Sequence, residues 1–295
     1  MVGTTPILAA TIAVRDLAAS VSRYGERLDY HTTEQGRIDA ALAESLGAPG
    51  MKGRKYAVLG PLSGRHTSLR LIESQAVAQF RSLRSFGWAA IEICVEDVHA
   101  VHARLRESRF EIIGPPAAIS GLPAIHPMQV KGPDGEVIFL TQIKVPGDGL
   151  YQAAVPIDTL FICVLACRDM PRQARWLSGQ LGATLAPEIA IPYRTLSRAF
   201  ELPADHRHRI ATASRDGHLF LEFDQYPDAA TVRPTLPDDL PPGISVMTFR
   251  HADLDAVPGP WFAPPAPRQG IIYQGRRTGV LRSPEGALIE VIEDP

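Results

Sequence analysis

A single carboxylate inside an apolar run is the first feature of this sequence that could carry chemistry. Glu92 stands within residues 88–95, where every other side chain is apolar. Burying a carboxylate in such a strand is costly unless it is paired, and Arg70, in the strand-like run 68–72, is its natural partner. Four interpretations stay open: a structural Glu92–Arg70 ion pair, a pair whose Arg70 binds an anionic substrate group bidentately, a general base whose pKa burial raises, or an outward-facing Glu92 without a role.

Cysteine and histidine give weaker signals. The three cysteines, Cys94, Cys163 and Cys167, lie in apolar strand-like runs without a CxxC pair or a Cys/His spacing that suits zinc. Buried free thiols in a reducing cytoplasm are therefore expected, with a catalytic thiol as the alternative. His206 and His208 flank Arg207, and their charged neighbours favour a solvated loop over two imidazoles on one strand face.

Composition excludes several classes of protein. The 295 residues include 30 basic and 32 acidic side chains, for a net charge of -2, which argues against a nucleic-acid partner. No apolar run is long enough to span a membrane. The first residues lack the basic start and cleavage site of a signal peptide, so we expect a cytoplasmic protein. The length suggests two domains.

Internal repetition is the most informative pattern. Four strand-like runs each end near an aspartate that precedes a helical pattern, at intervals of roughly 70 to 85 residues. The four are Asp16, Asp97, Asp169 and Asp253. An aspartate at such a boundary is predicted to cap the helix by accepting from its free backbone N–H groups. The helix after Asp253 is expected to be stunted by nearby prolines.

Strand-like runs follow each helix, and turns rich in Gly and Pro join the last two runs of modules two, three and four, at 132–135, 215–217 and 283–286. The sequence therefore predicts a βαβββ module repeated four times, an α+β chain. Modules one and two are assigned to residues 1–148 and modules three and four to residues 155–295, because 145–149 is a Pro/Gly-rich linker.

With this layout the chain resembles the vicinal oxygen chelate superfamily, which includes glyoxalases, bleomycin resistance proteins and extradiol dioxygenases. The resemblance covers nearly the whole chain and rests on the strand-x-Asp-helix starts and on the Pro-Asp-Gly (133–135) and Pro-Glu-Gly (284–286) turns. It implies four βαβββ modules paired into two glyoxalase/dioxygenase-like domains, 1–148 and 155–295. Each domain would curl into a cup that holds a small molecule.

The metal positions of that superfamily are not filled by metal ligands here. The resemblance places its first-strand ligands at Ala9, Ala90, Ile162 and Val246, and its last-strand ligands at Arg70, Phe139, Glu222 and Glu290. An iron site of two histidines and one carboxylate needs three ligands on one face, and only Glu290 fits that pattern. We therefore expect no metal and no other cofactor.

The same comparison selects the candidate site residues. The candidate catalytic groups are Glu92, Glu222 and Glu290; the candidate substrate contacts are Arg70, Phe139, Thr11, Tyr273, Arg250 and His126. Glu222 and Glu290 could form an acid/base pair near Arg250, a weak metal site with oxygen ligands, or a plain charge cluster. Phe139 could stack on a flat ligand, or it could fill a cup that binds no ligand. The segment 36–54 could be a lid or a structural loop.

Three functions remain in competition. The first is a metal-independent lyase or isomerase acting on an apolar or aromatic small molecule. The second is a non-catalytic protein that sequesters a small ligand, as drug-resistance members do; the third is an extradiol-type metallo-dioxygenase with misassigned ligands. A pocket carboxylate with a perturbed pKa would favour the enzyme. The expected partner is a small molecule, not a nucleic acid or a membrane, and a homodimer stays open because such cups also form between chains.

Overall fold

Two large β-sheets make up the molecule, and an antiparallel pair of strands lies at the centre of each. The computed structural model describes residues 5–119, 121–145, 147 and 150–294, so most of the proposed linker at 145–149 lies outside the described residues. The strands are β1 (Ile7–Val14), β2 (Tyr30–Arg37), β3 (Lys55–Pro61), β4 (Ser68–Glu73), β5 (Gly87–Val95), β6 (Glu111–Gly114), β7 (Ile125–Lys131), β8 (Val137–Ile143), β9 (Ile157–Cys167), β10 (Thr184–Leu185), β11 (Ile189–Pro192), β12 (Arg207–Arg215), β13 (His218–Gln225), β14 (Gly243–His251), β15 (Ala263–Pro267), β16 (Arg277–Arg282) and β17 (Leu288–Glu293).

The helices follow the first strand of each module or cover its sheet. They are α1 (Leu17–Leu28), α2 (Ala40–Ser45), α3 (Val98–Leu105), α4 (Met170–Leu181) and α5 (Arg194–Ala199), with 3₁₀ turns at Pro49–Met51 and Leu254–Ala256. The α+β class and the repeated module are thus confirmed. The fourth helix is only the turn Leu254–Ala256, as its prolines predicted.

The modules pair in a nested order. The first sheet runs β15-β16-β17-β14-β1-β4-β3-β2, so it joins module four to module one. The second runs β10-β12-β13-β9-β5-β8-β7-β6, with β11 beside β12, and joins module three to module two. The expected grouping of consecutive modules in 1–148 and 155–295 is therefore not how the sheets form. The central contacts are instead antiparallel pairs of first strands, β1 with β14 and β5 with β9.

The four aspartates act as predicted. The side chain of Asp16 accepts from Ala19 N, that of Asp97 from His99 N and Ala100 N, and that of Asp169 from Arg172 N. Asp253 caps the 3₁₀ turn through Asp255 N. Each cap satisfies backbone donors that the first turn leaves free, so it fixes where the chain leaves the sheet.

One continuous apolar core joins the two sheets. It holds the faces of α1, α3 and α4 together with side chains from both sheets, among them Trp88 and Phe249. The indole of Trp88 on β5 donates to the Leu288 carbonyl at 2.9 Å, and the Tyr30 hydroxyl donates to the Asp158 carbonyl at 2.8 Å. These bonds tie elements of one sheet to the other. Among the residues that the structure describes, no helix has the length and apolar character needed to cross a membrane.

Candidate functional site

Each sheet has a concave face, which we call cup A for the first sheet and cup B for the second. Strand register shows which residues are equivalent in the two. In the parallel pairs of cup A, Thr11 lies opposite Arg70 and Thr248 opposite Glu290. In cup B, Glu92 lies opposite Phe139 and Val164 opposite Glu222. Glu222 and Glu290 thus hold the same place in different cups, and the expected Glu222/Glu290 pair does not exist.

Cup A is closed by an internal ion pair. Arg70 Nη2 lies 2.7 Å from Glu290 Oε2, and Arg70 Nε donates to Thr11 Oγ1 at 2.9 Å. Arg70 Nη1 also donates to the Tyr273 hydroxyl, which in turn donates to Glu290 Oε1 at 2.8 Å. Thr248 completes the network by donating to Glu290 Oε2 at 2.9 Å. All five residues are buried, so this network leaves the carboxylate satisfied from within the protein.

This network corrects one prediction. Arg70 pairs with Glu290 and not with Glu92, because the two strands that carry Arg70 and Glu92 belong to different sheets. Burial alone would lower the pKa of Arg70, but the neighbouring Glu290 carboxylate raises it beyond its usual value. The guanidinium therefore stays charged and acts as the fixed counter-ion of cup A. Thr11 and Tyr273 are held in the same buried network.

A helical plug fills the rest of cup A. The segment 36–54 forms α2 and the turn Pro49–Met51, and its side chains join a buried apolar cluster with Val246, Ile272 and Tyr273 from the sheet and its loops. The plug residues in that cluster are Ile38, Leu42, Ala43, Leu46, Ala48 and Met51. Of the two roles left open for this segment, the structural one fits: it is part of the core.

Cup B keeps an open cavity of about 570 Å³. Glu92 and Glu222 both line it, from β5 and β13. Phe139 also lines it and occupies the place that Arg70 has in cup A. Tyr193 meets Phe139 edge-on, with ring centroids 6.2 Å apart. The rest of the lining is apolar or neutral at Gly114, Pro115, Ala117, Ala118, Ile119, Pro127, Gln129, Ile191, Pro192, Thr195 and Ala204, and charged at Arg194, Arg198 and Asp205.

A local irregularity in β13 aims Glu222 into the cavity. The register of β12 against β13 shifts between Ala213 and Ser214. Such a bulge adds one residue to one strand and resets which side chains face each side. Leu219, before the shift, packs with the residues that face cup B, and Glu222, after it, lines the cavity. Without the extra residue these two positions would point to opposite faces.

The carboxyl groups of cup B favour their protonated forms. Burial raises the pKa of Glu92 to about 8; the charge of Glu222 adds to the rise, and a hydrogen bond from Thr141 Oγ1 at 2.9 Å opposes it. Burial and the neighbouring Asp224 also raise the pKa of Glu222 well above its usual range. Burial raises the pKa of Asp224 as well, while its hydrogen bond with Glu222 opposes that rise.

No basic side chain of the described residues forms an ion pair with Glu92, Glu222 or Asp224, in contrast to cup A. The phenol of Tyr193 is held neutral by burial and by the nearby carboxyl groups, which raise its pKa. Groups whose environments separate their pKa values are suited to act as acid and base in one site. Cup B therefore combines proton donors and acceptors with an aromatic wall.

Helix α5 closes one side of cup B. His208 on β12 lies under it, buried, and its Nε2 is 2.9 Å from Ser197 Oγ. Burial and, secondarily, His206 lower the pKa of His208 to about 4. The expected solvated loop is thus wrong for His208, which starts a strand and faces the protein interior. The charged neighbours Arg207 and Arg209 misled that interpretation, because in β12 they alternate with His208 and are exposed.

Several predicted contacts lie outside the cavity of cup B. Arg250 pairs with Asp294 near the end of β14, its Nη1 lying 3.0 Å from Asp294 Oδ2. His126 is at the start of β7, and its Nε2 is 2.9 Å from the carbonyl of Pro123 in the preceding loop. The three cysteines are free and buried, as predicted. In the parts of the chain that the structure describes, no group of three or more His, Cys, Asp or Glu residues is arranged to hold a metal.

Sequence reasoning missed Asp224 as a member of the site. The signal was present, because Glu222 and Asp224 are two residues apart on a strand and so share a face. Tyr193 follows Pro192 in the sequence, which by itself does not indicate a place in the cavity. Its role as a wall of the cavity depends on α5 folding back over the sheet, which the local sequence does not specify.

Comparison with known proteins shows the fold. No protein-family model matches the chain, and no curated protein matches it by sequence. Among solved structures it is similar to glyoxalase I from Zea mays, with 16% identity and a TM-score of 0.64 over 98% of this chain and 92% of that one. It is also similar to a Bacillus subtilis protein provisionally named a dioxygenase, with 13% identity and a TM-score of 0.63 over 99% and 86% of the two chains. The chain thus has the vicinal oxygen chelate fold that its repeats predicted.

Proposed function

We propose that cup B is the active site of a metal-independent isomerase or lyase that transfers protons on an apolar or aromatic small molecule. The observation that carries this proposal is the pair Glu92 and Glu222, two carboxyl groups that line one cavity with raised pKa values. Catalytic acids and bases are commonly tuned this way by burial. Cup A, whose carboxylate is neutralised by Arg70, has no comparable group to offer.

The two carboxyl groups suit complementary roles. Burial and the neighbouring Asp224 raise the pKa of Glu222, which favours the protonated form that can donate a hydrogen bond to a carbonyl oxygen of the substrate. Glu92, when ionised, can take a proton from the carbon next to that carbonyl, so that a C–H bond breaks and negative charge develops on the oxygen facing Glu222. Returning the proton to another carbon completes an isomerisation, and loss of a leaving group completes an elimination.

The aromatic wall supports an apolar substrate. Phe139 and Tyr193 present ring surface to the cavity, and cavities of several hundred Å³ with a few polar groups are typical of small-molecule sites. Glu92 and Glu222 form no ion pair among the described residues, so an anionic group placed beside them is disfavoured, although Arg194 and Arg198 also line the cavity. The proposal thus differs from the anion-binding role first considered for Arg70.

Solvent exchange tests the proposed chemistry without knowledge of the natural substrate. A panel of aromatic and aliphatic ketones is incubated with the protein in D₂O, and proton NMR follows loss of the hydrogens next to the carbonyl. We expect exchange of at least one compound, rising with pH as Glu92 ionises near its pKa of about 8. Glu92→Gln should abolish the exchange, whereas Glu107→Gln, on an exposed surface, should not change it.

A sequestering protein is the second candidate, favoured by the apolar and aromatic lining of the same cavity. Binding measured by saturation-transfer NMR on the same panel separates the two. Compounds that bind in cup B, lose binding in Phe139→Ala and show no exchange would replace the enzyme with a binding protein.

A further inference from the structure

Another cavity, of about 380 Å³, lies at one end of the central strands β1, β4 and β14 of the first sheet. It is bounded by the start of β2, the loop before β4, the end of β14 and the loop that carries residues 271–276. Three arginines line it, namely Arg65, Arg250 and Arg276, and His31 and His66 stand exposed at its rim. This concentration of basic groups is unlike the acidic interior of cup B.

Positive charge exceeds negative charge around this cavity. The carboxylate of Asp294 serves two arginines, with Oδ2 3.0 Å from Arg250 Nη1 and Oδ1 2.6 Å from Arg276 Nη1. Among the carboxylates of the described residues Arg65 has only a longer contact, 3.7 Å between its Nε and Asp158 Oδ2, and its Nη2 donates to the Gln152 carbonyl at 3.3 Å. Three guanidinium groups therefore share two carboxylates, and the surplus charge favours an anion.

Two of the guanidinium groups also have buried donors to spare. Arg65 Nη1 and Arg250 Nε are buried and have no hydrogen-bond partner among the described residues. A buried charged donor without an acceptor is costly, and native proteins rarely leave one unexplained. Arg276 differs, since its three nitrogens donate to the Tyr273 carbonyl, to Asp294 and to the Ile272 carbonyl. Arg276 thus holds the loop, while Arg65 and Arg250 each keep one donor without an acceptor among the described residues.

We propose that this cavity binds a small organic anion through a carboxylate or phosphate group held between Arg65 and Arg250. Guanidinium groups recognise both kinds of oxyanion through paired hydrogen bonds. The cavity lies within the size range of small-molecule sites, and Ser68 and Gln274 add neutral polar lining for the remainder of the ligand. The proposal stands apart from the chemistry proposed for cup B, because no residue lines both cavities.

Calorimetric titration with sodium phosphate and with sodium malonate tests the site, at low ionic strength held constant with sodium chloride. We expect saturable binding of at least one anion, and the preferred one identifies the oxyanion group. Arg250→Gln and Arg65→Gln should each weaken binding about tenfold or more, as the loss of a charged hydrogen bond does. Arg282→Gln serves as the matched control, because Arg282 stacks on Phe262 elsewhere on the surface.

Two results would overturn the proposal. One is the absence of saturable binding for both anions at millimolar concentration. The other is equal binding by the wild type and both variants, since that would mean only general attraction to a basic surface. Arg250 also pairs with Asp294, so circular dichroism must first show each variant folded; Arg65→Gln keeps the test decisive if Arg250→Gln fails to fold.

Discussion

The Arg70 guanidinium lies 2.7 Å from the Glu290 carboxylate in cup A, at the position where cup B has Phe139. Glu92 and Val164 of cup B likewise stand where cup A has Thr11 and Thr248. The cation of cup A is thus replaced by an aromatic ring, and a further carboxyl group is added. Because the two sheets share their topology, the difference lies in side chains and in the plug of α2, not in the backbone plan.

Removing the cation of cup A should destabilise the protein strongly. Arg70→Met leaves Glu290 buried without its counter-ion, and breaking such a pair typically costs about 3–5 kcal/mol. Urea unfolding measures the loss. The double variant Arg70→Met/Glu290→Gln should recover part of the stability, because no unpaired charge remains. Additive losses in the two single variants and the double variant would contradict a direct coupling of the two residues.

Placing an arginine in cup B should convert its chemistry toward that of cup A. In Phe139→Arg the guanidinium would stand beside Glu222 and stabilise its ionised form, which lowers the pKa of that carboxyl group. Infrared difference spectra then should show a weaker carboxylic-acid carbonyl band at neutral pH than in the wild type. Phe139→Leu adds no charge to the cavity and should leave the band intact. An unchanged band in the arginine variant would argue against contact with Glu222.

Glu92 should make stability depend on pH. Its pKa rises from 4.5 unfolded to about 8 folded, so the folded state holds a proton that the unfolded chain releases between those values. Stability from this group is complete below pH 4.5 and is lost as pH rises to about 8, at no more than about 1.4 kcal/mol per pH unit. Glu92→Gln removes this loss, so urea unfolding should show the variant gaining on the wild type from pH 5 to pH 8. Glu107→Gln should show no such gain.

His208 should act in the opposite direction. Burial lowers its pKa from 6.5 to about 4, so the unfolded chain binds the proton first as the solution is acidified. Stability from this group is present above pH 6.5 and is lost as pH falls toward 4. An NMR titration of the imidazole should show no protonation at pH 6. Protonation near pH 6.5 would mean that His208 is exposed to solvent.

The repeat can be predicted from the sequence because each module carries its own local signals. Asp16, Asp97 and Asp169 cap helices wherever the modules pack, so local sequence specifies them. The pairing of modules is different, because β1, β5 and β9 are buried along nearly their whole length and any of them could join another first strand. The Pro/Gly-rich segment 145–149 predicts that consecutive modules pair. In the structure module one pairs with module four, and module two pairs with module three.

Strand register within a module is local, so Glu92 and Phe139 of module two lie opposite each other and line one cavity. The Glu92–Arg70 pair required modules one and two to share a sheet, so it failed with the pairing. That cup B is open and cup A filled depends on α2 and α5, short helices whose packing no local pattern reveals.

The nested pairing also defines what a fragment of this chain can contain. Residues 87–225 hold modules two and three and include every strand of the second sheet. The first sheet is assembled from β1–β4 and β14–β17, so a truncation that extends past Ile7 from one end or past Glu293 from the other removes part of it. In circularly permuted order, two-three-four-one, each sheet would arise from neighbouring modules. The fold is therefore a circular permutation of an arrangement in which consecutive modules pair. Modules two and three are continuous in sequence and form cup B, whereas modules four and one come from opposite ends of the sequence and form cup A.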